Sequence, residues 1–145
     1  MKCLIATYGT FRKGFPLEHY LRRMRVLGSS EELEIQGVQM FVFGQAPGAV
    51  ITGNADDKIV VELIEDEMCF DEWDAVLAVL DLVEGVHADL YRRESIDTHK
   101  GKAVLYTWAG ELPDDPVRIT DWAEWDAKPE EEKARLLGND IIVLF

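Results

Sequence analysis

Phe70, Trp73, Val76, Leu77, Leu80 and Val83 recur at the spacing of helical turns, and the pattern stops at Gly85. That is an amphipathic helix with a glycine where a left-handed C-terminal cap belongs. The sequence around it reads mainly as strands. Lys2–Thr7 is an apolar run suited to a buried strand, and Gly9 and Gly14 punctuate the loop after it. Glu34–Phe43, the short Ala49–Thr52 and Ile59–Ile64 are strand-like, separated by the turn signals Gln45–Gly48 and Gly53–Asp57. Tyr91–Ile96 and Lys102–Trp108 read as a strand pair joined by Asp97–Gly101.

Further helices are shorter. Pro16 suits a first helical turn, and Leu17, Tyr20, Leu21, Met24 and Leu27 follow at helical spacing until Gly28-Ser29-Ser30. Thr120 is placed to cap a short helix through Trp122 and Trp125. Pro129–Leu137 reads as a helix with Glu130, Glu131 and Glu132 in its first turn, where the dipole favours them. Ile141–Phe145 is an apolar end that reads as a strand. Many strands, few helices and short connections predict one α+β domain over residues 1–145, built on a small, curled, mostly antiparallel β-barrel flanked by helices. A doubly wound α/β arrangement is the alternative, and it lacks regular strand–helix alternation.

Composition narrows the function. An apolar share of 48% in 145 residues is enough for a real core despite the charge. A net charge of −13 argues against sequence-independent binding of nucleic acid, which needs a basic surface. The charge is uneven. Residues 1–25 hold six of the 15 Lys and Arg against Glu18 alone, near +5, and the remainder is near −18. That is either a solvated helix face or a local positive field beside an anion site. Cys3 and Cys69 both read as small buried hydrophobes rather than a disulfide pair. No apolar run approaches the ~20 residues of a membrane span, and no signal peptide is recognisable, so the chain reads as cytoplasmic. His19, His87 and His99 have no metal-ligand spacing, and no metal site is expected.

Two stretches carry chemistry. Tyr8-Gly9-Thr10-Phe11 follows a buried strand, where small residues let the backbone approach a ligand and successive N–H groups can cradle an anion. It lacks the glycine spacing and Lys-Ser/Thr pair of a phosphate loop. Glu84 lies in the last turn of its helix, where the dipole opposes a negative charge, with Asp81 one turn back. Inward placement would raise its pKa further, as a general base requires. Read alone, the first is an ordinary glycine loop and the second a solvated acid or a partner of Arg92 or Arg93.

Together they match a known pattern. Tyr8-Gly9-Thr10-Phe11 with Gly14 resembles the Tyr-Gly-Thr-Leu loop of the γ-glutamylcyclotransferase-like family. Leu80-Asp81-Leu82-Val83-Glu84-Gly85 with Tyr91-Arg92-Arg93 resembles that family's second block, whose glutamate is catalytic. Pro47–Val50, Val60–Leu63, Ala103–Tyr106 and Asp121-Trp122 are similar to weaker blocks between and after them. Phe11 replaces the usual leucine, Val61 a usual glycine and Ile64 a common tyrosine, departures that bear on pocket shape and substrate. The resemblance implies a small barrel and a cofactor-free enzyme, monomer or homodimer, that cyclises a γ-glutamyl amine, amino acid or peptide to 5-oxoproline. It assigns Glu84 as general acid/base and Tyr8, Gly9, Thr10, Phe11 and Tyr91 to substrate binding. Two alternatives stand beside it: a non-catalytic module holding a small anion or a protein on the same fold, and a lyase for a non-glutamyl amide.

Overall fold

The computed structural model describes residues 1–138 apart from Pro16, Arg25 and Leu27. Strand β1 (Lys2–Thr7) is buried on both faces, which is why its sequence is an unbroken apolar run. Leu4, Ala6 and Tyr8 join one core, whereas Cys3 and Ile5 join another on the opposite side. The alternation follows from the period-two pleat of a strand.

Around β1 lie β2 (Ser29–Gln36), β5 (Lys58–Glu67), β6 (Tyr91–Thr98) and β7 (Gly101–Trp108). They form a five-stranded sheet in the order β2-β5-β1-β7-β6. Among the described residues β1 and β7 run parallel, with Ile5 opposite Val104, and the other pairs are antiparallel. A second sheet has the order β4-β3-β8, from β3 (Val38–Phe43), β4 (Ala46–Ile51) and β8 (Val117–Ile119). Its inner face supplies Val38, Met40, Val42 and Ala49 to the core that also holds Leu4, Ala6, Ile59, Val61, Leu63 and Leu105. The ladders of the two sheets are separate, so the expected curled sheet wraps a shared core without closing into a ring.

The outer face of the larger sheet is covered by helices α1 (Glu18–Arg23) and α2 (Phe70–Glu84). Leu21, Val76 and Leu80 pack there with Ile5, Phe11, Ile64 and Tyr106. Full burial of a side chain such as Leu80 contributes about 2–3 kcal/mol. Helix α2 begins with a reciprocal cap, in which the Cys69 N–H donates to Glu72 Oε1 at 3.3 Å. It ends at Gly85, whose φ of +69° is the left-handed cap expected from the sequence. Helices α3 (Trp122–Asp126) and α4 (Glu130–Leu137) complete the described chain, with Trp122 and Trp125 buried in the first core.

Several local expectations change. The run Glu34–Phe43 is two strands in different sheets, broken at Gly37. Gly37 has a φ of +80°, donates its N–H to the Asp57 carbonyl at 2.8 Å and accepts from Thr52 and Gly53. A side chain would be strained in that conformation. The expected turn at Gln45–Gly48 is shorter, because β4 already starts at Ala46. Asp121, not Thr120, caps α3, accepting from the Ala123 N–H at 2.9 Å. Cys69 is exposed at the head of α2 rather than buried, although Cys3 is buried as expected. The described part of the first helix is α1, while Pro16 and Leu27, together with the Ile141–Phe145 strand, lie outside the described residues. Among those described, no helix is long and apolar enough to cross a membrane.

Candidate active site

The loop after β1, the end of α2 and the start of β6 converge on one cavity of about 330 Å³. That volume lies at the small end of pockets that take small molecules. Its walls include Tyr8, Gly9, Thr10, Phe11, Glu84 and Tyr91, so the six residues singled out from the two distant stretches meet in space. The mixed sheet explains the meeting. Strand β1 sits centrally, beside β7, and delivers its loop to the end of α2, which crosses the outer face above Ile5 and Tyr106.

Position 9 brings two backbones together. A β-carbon there would lie 2.5 Å from Pro47 Cγ, so only glycine lets the loop pass against β4. Pro47 is held in turn by Tyr91, whose hydroxyl donates to the Pro47 carbonyl at 2.6 Å. The Arg12 N–H donates back to the Gly9 carbonyl at 3.0 Å and the Leu17 N–H to the Thr10 carbonyl at 2.9 Å. These bonds tighten the turn through its carbonyls. The N–H groups of Gly9, Thr10 and Phe11 have no acceptor among the described residues. An unpaired run of donors at a cavity wall suits an anion.

Glu84 is the lone charged side chain among the described residues of the cavity wall. It has no hydrogen bond or ion pair among the described residues. Burial pushes its carboxyl up to about 7. Asp81, expected to raise Glu84 by repulsion, faces elsewhere: it accepts from the Tyr106 hydroxyl at 2.7 Å and pairs with Arg93 at 3.3 Å. Arg93 is thereby engaged by Asp81 and does not neutralise Glu84.

Three phenols stand around the carboxylate. The pKa values of Tyr8, Tyr91 and Tyr106 are all raised, chiefly by burial and in part by the negative charge of Glu84. Their hydroxyls are spent on the protein. Tyr8, 6% exposed, donates to the Tyr106 carbonyl on β7 and accepts from the Ala49 N–H on β4 at 3.2 Å. It is a strap between the two sheets, and its hydroxyl is already bonded to two backbone groups. Tyr91 and Tyr106 donate to Pro47 and Asp81 as described. The polar groups left over on the cavity wall are therefore the loop amides, the hydroxyls of Thr7 and Thr10 and the Glu84 carboxylate, so donors and a proton acceptor share one cavity.

The basic N-terminal segment does not supply a positive field here. Arg12 is 4% exposed, with ion pairs to Asp121 at 2.8 Å and Glu32 at 3.2 Å, and Arg22 pairs with Glu18 at 2.8 Å. No basic side chain appears on the cavity wall among the described residues. Arg12 instead ties the loop to the N-cap of α3. Sequence reasoning counted Arg12 only as charge, because nothing local links it to a residue more than a hundred positions away. It also missed Pro47 as the surface that fixes Gly9 and Tyr106 as the partner that occupies Asp81.

A central-strand glycine loop facing a glutamate at a helix end, over an apolar cavity, defines a class of small α+β proteins. The sequence profile of the family described as "Gamma-glutamyl cyclotransferase, AIG2-like" matches residues 5–127. The chain belongs to that family. A Pyrococcus horikoshii protein named "Putative gamma-glutamylcyclotransferase" is 32% identical over 121 residues, covering 83% of this chain and 90% of its own. The crystal structure of that protein superposes with a TM-score of 0.63 at 28% identity, over 86% of this chain and 92% of the other. An AIG2-like protein from Mus musculus shares the fold, with a TM-score of 0.51 at 17% identity over 78% of this chain and 81% of its own.

Proposed function

We propose that this protein is a γ-glutamylcyclotransferase: it converts a γ-glutamyl compound to 5-oxoproline and releases the amine. The observation that carries the reading is the meeting in one cavity of an unpaired, half-buried Glu84 with the free amides of residues 9–11. Family membership supports the reaction class.

The chemistry follows from these groups. The loop amides bind the substrate's anionic end or the oxygen that becomes negative during attack. Glu84, as the carboxylate, takes a proton from the α-ammonium. The freed α-nitrogen attacks the γ-carbonyl carbon, a ring C–N bond forms, and the carbonyl becomes a tetrahedral oxyanion. Glu84 passes its proton to the departing nitrogen, the original amide C–N bond breaks, and the carbonyl re-forms. The ring nitrogen then loses its second proton, and the products are neutral lactam and an amine that leaves as ammonium. The attack is intramolecular, so a cavity that holds the bent conformer supplies much of the acceleration. A carboxyl titrating near 7 suits both halves of the shuttle.

The test is a panel of γ-glutamyl amines, amino acids and peptides assayed for 5-oxoproline. Wild-type protein is expected to release it from at least one. Glu84→Gln, close in size and unable to take up the proton, is expected to lose at least ~100-fold. Absence of product from every compound, or an unimpaired Glu84→Gln, refutes the assignment.

A further inference from the structure

We propose that Thr7 is a substrate-contacting residue whose hydroxyl accepts a hydrogen bond from the reacting α-nitrogen and holds that nitrogen against Glu84. The inference rests on the cyclotransferase reading and assigns a side chain which that reading does not use.

Among the described residues the buried threonine, arginine and aspartate side chains are Thr7, Arg12, Asp57 and Thr107. Three of them are partnered. Arg12 holds Asp121 and Glu32, Asp57 accepts from Gln39, Thr52 and Arg118, and Thr107 donates to Glu94 at 2.7 Å. The Thr7 hydroxyl, on a residue only 7% exposed, has no partner among the described residues. Glu62 stands opposite Thr7 across the ladder, but its carboxylate accepts from the Lys13 N–H at 3.1 Å. A buried hydroxyl without a bond costs stability, and valine has the same shape without that cost. The oxygen is unbonded yet not sealed off, and the space that Thr7 borders is the active-site cavity.

The periods of strand and helix place it. Ala6 and Tyr8 join the core between the sheets, so Thr7 points to the side of Cys3 and Ile5, under α2. Ile5 and Leu80 share that cluster, and both also line the cavity. Two residues along β1 rise about 6.6 Å, and four along α2 rise about 6 Å. Both elements end at the cavity, so Thr7 stands beyond Ile5 at the level where Glu84 stands beyond Leu80.

A hydroxyl suits that position. The substrate's α-ammonium has three N–H groups, of which Glu84 takes one proton and Thr7 accepts from a second. The lone pair freed by Glu84 is left to attack the γ-carbonyl. A second carboxylate would hold the proton on nitrogen, whereas a neutral hydroxyl accepts from ammonium and amine alike. Thr7 keeps its own hydrogen, and no covalent bond forms to it.

The experiment compares wild type, Thr7→Val and Thr7→Ser. With the best substrate of the γ-glutamyl panel, kcat/KM for 5-oxoproline release is expected to fall about tenfold or more in Thr7→Val and to return to within about threefold in Thr7→Ser. The glutaric acid monoamide of the same amine lacks the α-amino group and cannot cyclise. Its Ki as a competitive inhibitor should stay within about twofold across the three proteins, because it makes no bond to Thr7. The urea midpoint of Thr7→Val should equal or exceed that of wild type, since a methyl group replaces an unbonded hydroxyl. Full kcat/KM in Thr7→Val, no recovery in Thr7→Ser, an inhibitor weakened in parallel with catalysis, or a lowered midpoint would overturn this role and leave the cyclisation standing. If wild-type protein releases no 5-oxoproline from any compound, the reaction assignment fails and takes the role of Thr7 with it.

Discussion

Gly9 and Pro47 touch so closely that the loop after β1 has no room for a side chain, with Pro47 Cγ 2.5 Å from where a β-carbon would stand. This one contact joins the two sheets at the cavity wall and sets the height of the loop amides. The proline ring is held by the Tyr91 hydroxyl through its carbonyl, so it cannot simply swing aside.

Gly9→Ala is therefore expected to displace the amides rather than unfold the protein. A shift of about 1 Å in a positioning group is enough to cost ~100-fold in rate. Measured kcat/KM should fall by that order while the denaturant midpoint moves little. A variant with full activity would show that the amide positions do not matter.

Arg12 couples the same loop to α3 through Asp121 and to β2 through Glu32. Its guanidinium is buried, and removing it leaves Asp121 without its cation. Arg12→Ala should cost about 3 kcal/mol, and Arg12→Lys should recover only part, since an ammonium lacks the fork that reaches two carboxylates. Urea unfolding of the three proteins checks the order wild type, lysine, alanine. An alanine variant as stable as the lysine one would count against the forked contact.

The Tyr8 hydroxyl bridges β7 and β4 and is not left over for a ligand. Tyr8→Phe strands the Tyr106 carbonyl and the Ala49 N–H and should cost about 1–3 kcal/mol. The rate per folded molecule should stay within about twofold, because the ring remains. A large drop in kcat with unchanged stability would instead give the hydroxyl a part in the reaction.

Glu84 links activity and stability to pH with opposite signs. In the folded protein it titrates near 7, against 4.5 for an ordinary glutamate. The proposed reaction needs the base form, so kcat/KM should rise tenfold per pH unit below about 7 and level above it. Between pH 4.5 and 7 the folded state keeps a proton that the unfolded chain has released, so Glu84's contribution to stability falls as pH rises. The full cost, present above pH 7, is about 3 kcal/mol. Glu84→Gln mimics the protonated form and should be the more stable protein at pH 8, with the gap closing towards pH 4.5. A gap independent of pH would mean that Glu84 is not the buried group.

The sequence is most explicit where physical chemistry is local. The helix from Phe70, its stop at Gly85 and the hairpin Tyr91–Trp108 follow from side-chain period and cap stereochemistry, which neighbouring residues impose. Boundaries failed where distant partners decide. Gly37 turns the chain because its backbone bonds to Asp57, Thr52 and Gly53, and Asp121 displaces Thr120 as a cap while also holding Arg12. The loop Tyr8–Phe11 and Glu84 were each recognisable, yet their shared cavity was not visible from spacing.

By itself the sequence determined the family, the strand-rich α+β composition and the two stretches that meet at the candidate site, because motif and periodicity are written in order along the chain. Tertiary structure alone decided that Asp81 and Arg93 satisfy each other, that the tyrosine hydroxyls are occupied, and that Glu84 is left without a partner. The physical reason is that desolvation and hydrogen-bond competition depend on which groups meet in space, and residues far apart in the chain meet only after the sheets have formed.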